Sequence, residues 1–201
     1  MHGGIHRPVH SGSVADPFAL QELRIRQPGK MMPGRARYEI FDAHRKLLAV
    51  ATETERRSRM DTITGMVPGT RTLDVRTAAG EPVLTLVKRD SEWRADVTGP
   101  DGELVGKIAI GDTRRDYTLI DHEDQVAGQA VGDLAVKQFA VSGAAGERYA
   151  QIRKTWAGVG KELFTDADHY SVTFIGPVPS RIRTLIVMVP IVLDMSRYGP
   201  Y

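Results

Sequence analysis

Apolar and polar residues alternate along much of the chain, which is the pattern of strands that bury one face. Leu73 and Val75 share one face of such a segment, and Trp93, Ala95 and Val97 are predicted to share the interior face of another. Twelve segments of this kind are predicted as strands: residues 21–27, 36–42, 46–52, 72–78, 82–88, 92–98, 103–110, 116–121, 125–131, 135–142, 148–155 and 170–176.

Turn residues separate these strands at a regular interval. Gly80, Gly102 and Gly146 are each followed by glutamate, and Asp124 precedes Gln125. Positions 80, 102, 124 and 146 are each 22 residues apart. This length accommodates a strand, a tight turn and a second strand, so the spacing predicts successive antiparallel hairpins.

The segment Leu185–Leu193 contains no polar side chain. It is shorter than the roughly 20 apolar residues of a membrane-spanning helix, and it contains Pro190. A helix that is apolar on every face has to be enclosed by protein. We predict a helix from an N-cap at Ser180 to about Met195, bent or missing one backbone bond at Pro190. Gly106 lies on an interior strand face, where its missing side chain lets this helix approach.

Together these elements predict a mainly β fold, a closed barrel of about twelve strands around a central hydrophobic C-terminal α-helix. Barrels of eight strands are filled by side chains alone, whereas an eleven-stranded barrel admits a central helix. Residues 1–17 are rich in Gly, His, Pro and Ser and are predicted to form a disordered leader. Residues 18–201 are predicted to form a single domain.

The amino-acid composition excludes several classes of function. The 201 residues carry a net charge of +2. This charge gives no long-range electrostatic field of the kind that attracts nucleic acid. The chain has no cysteine, so thiolate metal sites and cysteine nucleophiles are excluded. The leader lacks the apolar run of a secretory signal, and we expect a cytoplasmic protein.

Catalytic motifs are absent from the sequence. It has no HExxH zinc motif, no GxGxxG or GxxxxGK[ST] phosphate loop, and no strand-to-helix turn around Ser58 or Ser142 that would expose a nucleophile. Three of the histidines lie in the predicted leader: His2, His6 and His10. The sequence therefore predicts a non-catalytic protein without a cofactor, apart from the calcium alternative below.

The chain resembles the LURP-one-related proteins, in the superfamily of Tubby C-terminal domains and phospholipid scramblases. The resemblance covers roughly residues 18–198, and its clearest segments are Tyr38–Asp42, Gly80–Leu86, Ala150–Trp156, Lys161–Tyr170 and the terminal helix. It implies a Tubby-like barrel of twelve strands around a C-terminal helix. It also implies two activities proposed in the superfamily, phosphoinositide binding and calcium-dependent lipid scrambling, but no shared catalytic centre.

The segment beginning at Asp166 resembles the one proposed to bind calcium in scramblases. Asp166 and Asp168 fill the first and third positions of a calcium loop. Calcium needs oxygen ligands at further alternate positions and a carboxylate at the twelfth, but the twelfth residue here is Pro177. The incomplete ligand set favours the alternative, in which the two aspartates form a turn before a strand.

Two sets of basic residues are candidates for binding anionic phospholipid. Arg56, Arg57 and Arg59 precede an apolar loop at residues 65–69, although nearby acids favour an ordinary solvated loop. The second set consists of Arg153, Lys154, Lys161, Arg181 and Arg183, and packing of Lys154 and Lys161 at a barrel end is the alternative.

The leading hypothesis is therefore a non-catalytic barrel that binds anionic phospholipid headgroups at its surface, with peripheral membrane contact and no membrane span. Two alternatives stay open. One is a scramblase-like protein, against which the length and proline of the terminal helix argue. The other is a cytoplasmic module that binds an unidentified protein partner.

Overall fold

The structure of the protein is a computed structural model that describes residues 16–28, 35–54, 70–89, 92–155 and 169–197. Of the predicted leader, Asp16 and Pro17 are described. The strands are β1 Glu22–Arg26, β2 Arg37–Asp42, β3 Leu47–Glu53, β4 Thr70–Thr77, β5 Pro82–Arg89, β6 Arg94–Thr98, β7 Leu104–Ile110, β8 Asp116–Asp121, β9 Val126–Gly132, β10 Gln138–Gly143, β11 Arg148–Thr155 and β12 His169–Phe174. The helix α1 follows at Ser180–Arg197.

The strands form one closed antiparallel barrel in which each strand pairs with its neighbours in sequence. Closure comes from β1, which pairs with β2 on one side and with β12 on the other. Ile25 sits opposite Ile40 and Tyr170 in these two ladders, and all three side chains are buried. The barrel of twelve strands predicted from the alternation is thus confirmed.

The regular turn spacing corresponds to repeated turn geometry at one end of the barrel. Gly80, Gly102, Asp124 and Gly146 all have positive φ, from 62° to 90°. The amide of each donates to the carbonyl of the residue three positions earlier. A type I turn followed by a left-handed residue produces this arrangement, and glycine adopts that conformation at no steric cost.

The helix α1 lies inside the barrel. Residues from Leu185 to Met195 are buried on every face, and Val189 and Ile191 are fully inaccessible. The helix contacts β5, β7, β8 and β9 and continues through Pro190. A Cβ on Gly106 would lie 2.8 Å from Leu185 Cδ1 and 2.5 Å from the Ile120 carbonyl oxygen, so the close approach predicted at this glycine is confirmed.

Trp93 departs from the predicted interior face. Ala95 and Val97 are buried as expected, but Trp93 lies in the turn before β6 with φ 49° and is 46% exposed. The alternation of side chains holds only within a strand, and β6 begins one residue later, at Arg94. The prediction for Trp93 was therefore wrong.

Candidate functional site

The two ends of the barrel differ in chemistry. We call the end where α1 finishes the helix-C end and the opposite end the helix-N end. At the helix-C end, the interior is polar, and buried side chains include Tyr38, Glu53, Arg71, Lys88, Asp194 and Ser196. Buried charges are costly unless they are paired and hydrogen-bonded, so the partners of this group decide its role.

Arg71 and Glu53 form a buried ion pair on neighbouring strands. Arg71 Nε lies 2.8 Å from Glu53 Oε1, and the two side chains are 9% and 4% exposed. Glu53 Oε2 also accepts from the Ala36 amide at 3.0 Å. Burial opposes the charge on Arg71, but the hydrogen bond and charge of Glu53 outweigh it, so the pKa of Arg71 is raised. Glu53 is therefore stabilised both by the guanidinium of Arg71 and by the amide of Ala36.

The same end supplies donors to the carboxyl end of α1. Arg71 Nη1 donates to the Met195 carbonyl at 3.4 Å, and Arg114 Nη1 donates to the Ser196 carbonyl at 3.0 Å. The last carbonyls of a helix have no partner within it and carry partial negative charge, which favours cations there. The buried Arg71 and the half-buried Arg114 therefore cap the enclosed helix.

Tyr38 binds the helix through Asp194. The Tyr38 hydroxyl donates to Asp194 Oδ2 at 2.7 Å, and both side chains are almost fully buried. Burial, and then the negative charge of Asp194, hold the pKa of Tyr38 well above its ordinary value. Tyr38 consequently stays neutral in the folded protein at a pH where an unfolded tyrosine ionises.

We expect this shift to make stability fall above about pH 10. The unfolded chain then loses the Tyr38 proton that the folded chain keeps, so the free energy of unfolding decreases by about 1.4 kcal/mol per pH unit from this group. Urea unfolding at about pH 9, 10 and 11 should show a shallower decline for Tyr38→Phe than for the wild type. Equal slopes for the two proteins would contradict the shift.

The rim of the helix-C end carries a group of basic residues, which we call the basic rim: Arg115 just before β8, Lys137 just before β10, and Arg153 and Lys154 near the end of β11. The Gly132 amide of β9 donates to the Arg115 carbonyl at 2.8 Å, and the Lys154 amide donates to the Lys137 carbonyl at 2.6 Å. Arg153 pairs with Gln138 across β10 and β11. These contacts place the four residues side by side along β8 to β11.

Three residues of the basic rim form no ion pair with the described acids. In the described ranges, no carboxylate lies within ion-pair distance of Arg115, Lys137 or Arg153. The Lys154 ammonium lies 5.3 Å from the centre of the Tyr170 ring, an attractive cation–π contact. An anion reaching Arg115, Lys137 or Arg153 would therefore meet cations that form no ion pair within the described barrel.

The structure separates the second predicted basic set. Arg153 and Lys154 are on the basic rim, whereas Arg181 and Arg183 lie at the start of α1, at the helix-N end. Lys154 is opposite Tyr170, and Arg183 contacts Phe174 on the same strand. Four residues of a strand span about 13 Å, so Lys154 and Arg183 are too far apart to share one headgroup phosphate.

Arg183 is engaged within the fold. Its guanidinium lies 3.8 Å from the centre of the Phe174 ring and donates to the carbonyls of Phe18 and Leu20. Burial lowers the pKa of Arg183, although the charge of Asp16 opposes this. Arg181 is more exposed and lies 3.7 Å from Glu103. Arg183 thus fixes the chain before β1 against the start of α1.

The remaining predicted site residues lie outside the described residues: Arg56, Arg57, Arg59, Lys161, Asp166 and Asp168. Within the described part of the chain, no three carboxylate or histidine side chains group in a way that holds a metal ion. The same part contains no helix that is both long and apolar enough to cross a membrane.

Sequence reasoning missed the buried polar group, although the strand alternation contains its signal. Arg71 falls on the interior face of β4 with Leu73 and Val75, and Lys88 falls on the interior face of β5 with Leu86. A charged residue at an inward position of a strand predicts a buried pair or a site. The Arg114 guanidinium lies 5.1 Å from the centre of the Trp93 ring. Nothing in the strand alternation indicates this contact.

A closed antiparallel barrel of twelve strands around a C-terminal helix is the class of protein that these observations define. A family model described as Scramblase matches residues 34–199. The protein belongs to the scramblase family, since this match covers most of its length.

One solved structure supports the fold independently. The X-ray structure of a protein from Arabidopsis thaliana superposes with a TM-score of 0.54 at 16% sequence identity, and the match covers 92% of this chain and 99% of the plant chain. At this identity the similarity supports the architecture alone. No curated protein matches the chain closely enough to count as a relative.

Proposed function

We propose that the protein is a non-catalytic, LURP-one-related member of the scramblase family that binds anionic phospholipid headgroups from the cytoplasmic side as a peripheral protein. The basic rim is the observation that carries this proposal. Its cations sit together at one end of the barrel, and Arg115, Lys137 and Arg153 have no ion-pair partner among the described residues. Phosphate oxygens are the natural partners of such a group.

Local charge matters more here than the charge of the whole protein. The net charge of +2 gives little long-range attraction. A basic residue close to an anionic bilayer contributes about 1 kcal/mol, so several together produce measurable binding. The connections β3 to β4 and β11 to β12 begin and end at this same end of the barrel, and they contain Arg56, Arg57, Arg59 and Lys161 in their sequence.

Charge reversal on the basic rim tests the proposal. We expect the wild type to co-sediment with vesicles of phosphatidylserine and phosphatidylcholine and to bind phosphatidylcholine vesicles far less. Lys137→Glu replaces one positive charge by one negative charge, a change of about 2 kcal/mol, and should weaken binding about thirtyfold at low salt.

Arg148→Glu is the matched control. Arg148 is exposed on β11, as Arg153 is, but lies at the helix-N end of that strand. Its reversal should leave vesicle binding within about threefold of the wild type, because surface charges more than a Debye length away are screened. Equal and negligible binding of the wild type to both kinds of vesicle would remove the lipid proposal. Equal losses for the two variants would show that the basic rim is not the site.

A further inference from the structure

The turn between β9 and β10, Asp133–Lys137, exposes an apolar tip at the helix-C end. Leu134 is 89% exposed, more than any other large hydrophobic side chain of the described residues. Ala135 beside it is exposed as well, and Val131 at the base of the turn is 47% exposed. Single exposed leucines are ordinary on protein surfaces, so the surroundings of this one decide whether it has a role.

Two turns at the helix-N end have a closely related backbone, and neither has a large apolar side chain at its tip. In each, an aspartate begins the turn, its Oδ1 accepts backbone amides, and the residue three positions later has positive φ. The tip residues are Ala43 and His44 after Asp42, and His122 and Glu123 after Asp121. The turn conformation therefore does not require apolar residues, and polar residues are the usual ones in turns.

The apolar turn is closed by hydrogen bonds. Asp133 Oδ1 accepts the amides of Lys137 and Gln138 at 2.7 and 3.3 Å, and the Asp133 carbonyl accepts the Val136 amide at 3.0 Å. Val136 adopts φ 53°, a conformation unusual for a β-branched residue. Beneath the turn, a Cβ on Gly132 would lie 2.7 Å from the buried Phe139 ring. A turn fixed in this way presents Leu134 with little entropy left to lose on binding.

The basic rim surrounds this tip. Lys137 closes the turn, Arg115 is hydrogen-bonded to Gly132 at its start, and Arg153 is paired with Gln138. Acids lie at this end as well: Asp133 begins the turn, Asp116 is opposite Val131 and accepts from the Thr113 hydroxyl, and Asp112 is exposed in the β7–β8 connection. An apolar tip among cations is complementary to a bilayer surface, where acyl chains lie below anionic headgroups.

We propose that the β9–β10 turn inserts Leu134 into an anionic bilayer while the basic rim contacts the headgroups. This inference rests on the proposed function and makes it more specific, because the partner is an assembled membrane surface and not a free phosphate compound. Transfer of one leucine side chain from water into the apolar part of a bilayer strengthens membrane binding about tenfold or more. Leu134→Ser should therefore bind phosphatidylserine vesicles about tenfold more weakly than the wild type.

The absence of cysteine allows a direct measurement at the tip. Leu134→Cys, labelled with an environment-sensitive fluorophore, should show a blue shift and increased emission when phosphatidylserine vesicles are added. Val126→Cys is the matched control, because Val126 is 52% exposed at the helix-N end of β9. Its label should respond little. Soluble inositol phosphate should produce no blue shift at either position.

The outcomes separate the two proposals. If the wild type binds anionic vesicles but the label at position 134 stays in water and Leu134→Ser binds normally, insertion is refuted and headgroup binding stands. If the wild type does not bind anionic vesicles, the proposed function fails and the insertion fails with it. If the wild type instead forms dimers that Leu134→Ser abolishes, with no response to vesicles, the tip is an interface between copies and the bilayer proposal is overturned.

Discussion

Val189→Asp should prevent the protein from folding. Val189 is fully inaccessible in the middle of α1, inside the closed barrel. An unpaired buried carboxylate costs several kcal/mol even after relaxation, and a typical domain has a total stability of about 5 to 15 kcal/mol. We expect the variant to lose its cooperative thermal transition and its native circular dichroism spectrum, and to accumulate in the insoluble fraction.

The controls separate burial of charge from other effects. Ile191→Val removes one methyl group at an equally buried position and should cost about 0.5 to 1.5 kcal/mol. Val126→Asp introduces the same charge at a position that is 52% exposed, and its unfolding midpoint should stay near that of the wild type. A Val189→Asp protein that unfolds cooperatively at the wild-type midpoint would show that α1 is not enclosed.

Asp194 shows why a carboxylate is tolerated elsewhere in the same helix. It is 1% exposed, but it accepts a hydrogen bond from Tyr38 at 2.7 Å and lies at the carboxyl end of α1 where basic side chains converge. Val189 is surrounded by apolar residues of the core. A carboxylate is therefore expected to cost much more at position 189 than at position 194, because position 189 offers it no hydrogen-bond or charged partner, although both positions are buried.

Arg71→Met should produce the second-largest loss. The substitution leaves Glu53, which is 3% exposed, without the guanidinium that compensates its charge. It also removes the donor to the Met195 carbonyl at the end of α1. Removal of one partner of a buried ion pair typically costs 3 to 5 kcal/mol, so we expect a decrease of about that size in the free energy of unfolding measured in urea.

A second substitution tests this explanation. Glu53→Gln in the Arg71→Met background removes the uncompensated charge and keeps an oxygen for the Ala36 amide, so it should restore much of the lost stability. Arg24→Met, which breaks an ion pair whose side chains are 45% and 36% exposed, should cost less than about 1 kcal/mol. An Arg71→Met protein as stable as Arg24→Met would mean that the pair is solvated.

The order of elements follows from local rules, which explains how well the sequence predicted it. Side chains in a strand alternate between faces, so Leu73 and Val75 identified β4 without knowledge of its neighbours. Gly80, Gly102 and Gly146 marked turns because their left-handed conformation is costly for most other residues. The apolar run Leu185–Leu193 had to be shielded, and a barrel of twelve strands has room for it.

The candidate site was much less predictable, because proximity across a barrel is not encoded by spacing in the chain. Arg115, Lys137 and Arg153 are far apart in sequence, and ladder registers bring them together. Arg183 seemed equivalent to Lys154 as a basic residue near the terminal helix, yet the structure uses it to bind Phe18, Leu20 and Phe174. Whether a cation is paired depends on neighbours from other strands.

The sequence by itself determined the fold, from the twelve alternating segments to the enclosed helix, because each element depends on residues close together in the chain. Only the tertiary structure decided which end of the barrel is basic, which cations are paired, and that Leu134 stands exposed among them. Side-chain surroundings arise from contacts between distant segments, and these exist only after the barrel has closed.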